Sequence, residues 1–91
     1  HAASAPAATR AAVSRARVDL AEAQRDLDRK RMLVDRQFIA VSEADKALAL
    51  VNTSAEALKS AQAQEGVGQA QVKSALASVA QRQAALAQAR V

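Results

Sequence analysis

The chain has 91 residues; 51% of them are hydrophobic but 1% aromatic, and there are two Gly, one Pro and no Cys. A chain of this length forms one domain, and without cysteine it has no disulfides, thiolate metal sites or cysteine nucleophiles. The net charge of +4 arises from 13 basic and 9 acidic residues that are interspersed, which is typical of a solvated helix surface and argues against nucleic acid as a partner.

Helix is predicted throughout because alanine, the best helix former, supplies most of the hydrophobic fraction. Pro6 suits a first helical turn, so the first helix is predicted over residues 6–36. Its larger apolar residues recur every seven positions, as the seam of a two-helix coiled coil requires. Ala16, Ala23 and Lys30 follow three positions after the first three of them, so large and small residues alternate along the seam. The larger residues are Val13, Leu20, Leu27 and Val34.

A turn is predicted over residues 37–41, where the sevenfold phase is lost and aromatic and β-branched residues interrupt the alanines. Ser42, followed by Asp45 three positions later, resembles a capping box that starts the second helix. Phe38 and Ile39 are large apolar residues at the tip of the hairpin. They form either an exposed docking surface or a local plug that closes the turn.

The second helix is predicted over residues 42–91 and again carries apolar residues at sevenfold spacing. Glu65 breaks this series, and Gly66 and Gly68 follow it, so a second turn and a three-helix arrangement are an alternative. The phase passes through this segment without a slip, which favours one continuous helix. The seam residues of this helix are Val51, Leu58, Val72, Val79 and Leu86.

Together these patterns predict an all-α fold, a long two-helix antiparallel coiled-coil hairpin that spans residues 1–91 as a single domain. The first helix has a length of about 45 Å and the second of about 73 Å. Residue 1 then lies near residue 76, and the last turns of the second helix have no partner. We therefore expect the chain to be a part of a larger protein whose first helix begins upstream.

No catalytic constellation is predicted. The single His is residue 1, so no His-based acid–base pair, nucleophile triad or two-His metal site can be assembled. No apolar run approaches the roughly 18 residues of a membrane span. We expect a structural protein that is not an enzyme and binds no cofactor or metal.

The stretch RKRMLVDRQFIAVSEADKA around the predicted turn resembles the α-hairpin tip of periplasmic adaptor subunits, also called membrane fusion proteins. These serve Gram-negative tripartite efflux pumps and type I secretion systems. The family has an Arg, a Leu four residues later and a Ser seven residues after that. Arg29 and Leu33 fill the first two positions, whereas Ala40 stands at the third, so the hydroxyl of the family's Ser is absent here.

The resemblance implies a protein–protein interaction element that links an inner-membrane transporter to an outer-membrane channel for transport. It would pack with copies of itself in the periplasm, reach the transporter through other domains, and belong to a parent protein anchored to the inner membrane. The expected channel contacts are Arg29, Leu33, Ala40, Phe38 and Ile39. One alternative is a generic antiparallel coiled-coil spacer or oligomerisation module; another is a basic helical module for nucleic acid or anionic membranes.

Overall fold

The computed structural model describes residues 4–90, with side chains from residue 7 onward. Two helices, α1 (Ser4–Asp35) and α2 (Val41–Arg90), pack against each other as an antiparallel hairpin measuring 82 × 16 × 15 Å, with no strand among the described residues. The predicted all-α hairpin is therefore confirmed. The helix boundaries differ from the predicted ones by one or two residues where they are described. Val91, the predicted end of the second helix, lies outside the described residues.

Helix α2 runs unbroken through Gly66 and Gly68, so the three-helix alternative is wrong. Each glycine costs about 1 kcal/mol of helix stability relative to alanine. The cost is tolerated because helical residues surround the segment on both sides and no proline interrupts it. The preserved sevenfold phase on either side of Glu65 thus reflects a continuous helix.

The seam between the helices follows the predicted positions in the paired part of the hairpin. Three of the five buried residues are alanines, which lets the two backbones approach closely. Leu20, Val34, Val51 and Leu58 also face the seam and are half-buried. The buried set comprises Val13, Ala16, Ala23, Leu27 and Ala47.

The predicted seam does not extend to the C-terminal part of α2. Val72, Val79 and Leu86 are 47%, 47% and 54% exposed, so α1 does not cover these seam positions within the described chain. The reason is the unequal length of the helices, since α1 has 32 residues and α2 has 50. Every residue from Gln69 to Arg90 is exposed within the described chain. The uncovered end of α2 therefore agrees with the predicted difference in helix length.

Candidate docking site at the hairpin tip

Helix α1 ends in a Schellman motif, in which the last carbonyl groups accept two crossed backbone hydrogen bonds. The Phe38 N–H donates to the Leu33 carbonyl at 2.9 Å, and the Gln37 N–H donates to the Val34 carbonyl at 2.8 Å. Gln37 is left-handed, with φ at 63°. This conformation normally favours glycine because it crowds a Cβ atom. The sharp turn is thus built on a residue type that gave no turn signal in the sequence.

The left-handed Gln37 leads to a testable expectation. Replacing Gln37 with Gly should raise the free energy of unfolding by about 1 kcal/mol, because glycine removes the Cβ crowding at positive φ. Urea denaturation followed by circular dichroism measures the change. The matched control is Gln64→Gly inside α2, which should lower stability by about 1 kcal/mol. If both substitutions destabilised the protein, the left-handed assignment would be incorrect.

Helix α2 begins one residue before the position that the capping pattern predicted. The Glu43 N–H donates to the Ala40 carbonyl at 3.0 Å, and Val41 is the first helical residue. Ala40 consequently occupies the capping position, and Ser42 lies inside the first turn. Glu43 places negative charge in that turn, where it interacts favourably with the helix dipole. The start of α2 is therefore stabilised by charge rather than by a side-chain cap from Ser42.

Apolar side chains at the tip are exposed to solvent. Phe38 is 70% exposed, while Val41 and Met32 are 62% and 56% exposed. We call these three residues the tip patch. Ile39 is half-buried, as a plug that closes the turn requires, whereas Phe38 is exposed. The docking interpretation of Phe38 stays a prediction.

The other predicted contact residues differ in their accessibility to a partner protein. Arg29 is exposed, and its Nη1 atom donates to Oδ1 of Asp26 at 3.1 Å. A pair of this kind on a solvated helix contributes at most about 1 kcal/mol, so a partner could displace it. Leu33 is half-buried, so only part of it is accessible to a partner. Ala40 is exposed beside the tip patch.

Sequence reasoning missed Met32 and Val41. Both lie off the sevenfold seam, and that position is the signal that could have identified them. A large apolar residue on the outward face of a helix next to a turn has nothing to pack on within a two-helix hairpin. The tip patch is thus larger than Phe38 alone.

Within residues 4–90, no group of His, Cys, Asp and Glu side chains is arranged to hold a metal ion. Neither helix in the described range has the length and hydropathy of a membrane span. Comparisons of the chain with protein-family models, with curated proteins and with solved structures give no match. The fold and the tip therefore define a class, a helical-hairpin rod with an apolar end, and the function is argued from those features.

Proposed function

We propose that this chain is the α-hairpin of a periplasmic adaptor protein, linking an inner-membrane transporter to an outer-membrane channel in efflux or secretion. The parent protein would be anchored to the inner membrane and would reach the transporter through further domains. In this role the hairpin catalyses no reaction. It spans a distance, packs beside copies of itself and presents its tip to the channel.

The observation that carries the proposal is the exposed tip patch at the end of an 82 Å rod. Apolar side chains exposed together are costly in water and mark interaction surfaces in folded proteins. Aromatic residues are also enriched among the residues that dominate binding energy. Phe38, at the apex of the turn, is the residue that we expect to contribute most to the contact.

The family resemblance at Arg29 and Leu33 also supports a channel contact at the tip of the rod. Arg29 can exchange its exposed pair with Asp26 for a carboxylate or carbonyl of the channel, keeping a charge-assisted hydrogen bond. Leu33 is half-buried, so it would contribute only its exposed part to the contact. Ala40 lacks the hydroxyl that the family has at this position, so we assign the contact mainly to apolar packing by the tip patch.

Site-specific crosslinking in a Gram-negative periplasm tests this proposal. The chain has no cysteine, so single cysteines in the parent protein at positions 29, 33 and 38 report on one position each. We expect crosslinks to an outer-membrane channel from positions 38 and 29, and weaker ones from the half-buried position 33. Val67→Cys is the matched control, because Val67 is an exposed apolar residue far from the tip.

Absence of a channel crosslink at all three tip positions, with the protein folded and exported, would contradict the adaptor role. The hairpin would then be better described as a coiled-coil spacer. Equal crosslinking from position 67 and from position 38 would also contradict it, since the contact would not be specific to the tip.

A further inference from the structure

The tip patch contains the only sulfur atom of the chain. Met32 is the single Met, and the sequence has no Cys, Trp or Tyr. The side chain of Met32 is 56% exposed, so an oxidant dissolved in water can reach its thioether. Exposure and sulfur chemistry together make Met32 the site at which a two-electron oxidant reacts with the hairpin.

Met32 lies where a change of polarity alters the apolar end of the rod. Its carbonyl accepts a hydrogen bond from the Arg36 N–H at 3.1 Å, and the next carbonyl, that of Leu33, accepts one from the Phe38 N–H at 2.9 Å. The backbone of Phe38 therefore folds back onto the helical turn that contains Met32. Since Phe38 and Val41 are 70% and 62% exposed, Met32 supplies one of three large apolar side chains presented to solvent at the tip.

Oxidation of the thioether changes the character of this surface. Hydrogen peroxide or hypochlorous acid transfers one oxygen atom to the sulfur, so that an S–O bond forms as the O–O or O–Cl bond breaks. The sulfur is oxidised to a sulfoxide, and the oxidant is reduced to water or to chloride and a proton. The sulfoxide is polar, which disrupts apolar contacts, and methionine sulfoxide reductases convert it back to the thioether.

We propose that Met32 is a reversible oxidation site, and that its conversion to the sulfoxide weakens docking of the tip to its partner. The inference rests on the proposed function, because it takes the tip patch as the docking surface. Met32 is exposed and lies off the sevenfold seam, so oxidation leaves the buried residues of the hairpin in place. Oxidation therefore acts on the contact surface while the fold is kept.

Oxidation of the 91-residue chain with hydrogen peroxide tests the reactivity of the site and the retention of the fold. Peptide mass spectrometry should show the addition of one oxygen atom at Met32. The helical circular dichroism signal should persist, and the melting temperature should change by no more than about 4 °C, as for a surface substitution.

Photocrosslinking of the purified parent protein tests the effect on docking. A photocrosslinking amino acid at position 40, which is exposed beside the tip patch, reports on the contact. The protein is oxidised, freed of oxidant and then mixed with outer-membrane vesicles of the bacterium that produces it. We expect the crosslink to an outer-membrane channel to fall about fivefold, because one large apolar side chain no longer packs favourably. Methionine sulfoxide reductase should restore the crosslink.

Three variants assign the effect to one sulfur atom. Met32→Leu should crosslink as the unoxidised protein does and should resist the oxidant, whereas Met32→Gln, a polar mimic of the sulfoxide, should crosslink weakly without any oxidant. The matched control combines Met32→Leu with Val18→Met, which moves the thioether two heptads along the same face of α1. Val18 is 54% exposed, nearly the same as Met32, and oxidation at that position should leave the crosslink unchanged.

Each contrary result has a definite meaning. An effect of oxidation that persists in Met32→Leu, or an equal effect when the thioether is at position 18, would overturn the inference. Loss of the helical signal on oxidation would also overturn it, since docking would then be lost through unfolding. A channel crosslink that oxidation leaves unchanged would overturn the inference alone and leave the adaptor role standing. No channel crosslink from the unoxidised protein would overturn the proposed function and the inference with it.

Discussion

Replacing Leu27 with alanine is expected to lower the free energy of unfolding by about 2–3 kcal/mol, the cost of removing buried methyl groups and leaving a cavity. Leu27 is 2% exposed and is the most deeply buried of the larger seam residues. The core around it is rich in alanine, so neighbouring side chains have little reach with which to fill the space. A loss of this size is a large fraction of the stability of a small domain.

Urea denaturation monitored by circular dichroism measures this loss. Leu50→Ala is the matched control, since Leu50 is 53% exposed on α2, and its effect should stay within about 0.5 kcal/mol. The same change at Leu58, which is half-buried, should fall between the two. Equal effects at positions 27 and 50 would show that the seam has been assigned to the wrong face.

Replacing both Gly66 and Gly68 with alanine should stabilise the protein by about 2 kcal/mol, because each change removes a glycine from a helix interior. A Cβ atom at either position meets nothing within 4 Å, so the added methyl groups cause no clash. Both the helical circular dichroism signal and the urea midpoint should rise. The gain should be concentrated in the part of α2 that α1 does not cover.

The control for this prediction is the pair Gln64→Ala and Gln71→Ala on the same stretch of α2. Glutamine is already a good helix former, so these changes should add much less than the glycine replacements. A loss of folding in the double alanine variant would contradict the continuous helix and point to a turn at residues 65–68. Hydrogen exchange across these residues would separate local stiffening from a global effect.

Much of the fold could be predicted because it depends on periods that are local in the sequence. A sevenfold series such as Val13 to Val34 places side chains on one face of a helix whatever its surroundings. The second series, from Val51 to Leu86, keeps its phase across Glu65, which correctly indicated that the two glycines do not end α2. The unequal helix lengths likewise predicted an uncovered end.

The exposed residues of the candidate site were harder to predict, because the exposure of a residue depends on which other element packs against it. Val51 and Val72 occupy equivalent positions in the series, yet Val51 is half-buried and Val72 is exposed, since α1 reaches only the first. Met32 and Val41 became part of the tip patch for a related reason. Both lie beside the turn on outward faces, and a two-helix hairpin has no third element to cover them.

The amino-acid sequence by itself determined the helical state, the seam positions and the continuity of α2, because alanine content and sevenfold spacing act along a single helix. Tertiary structure alone decided which seam residues are covered, how Gln37 turns the chain in the left-handed region, and which apolar side chains remain in solvent. Those features depend on how two helices of different length pack together, whereas sequence periodicity describes each helix separately.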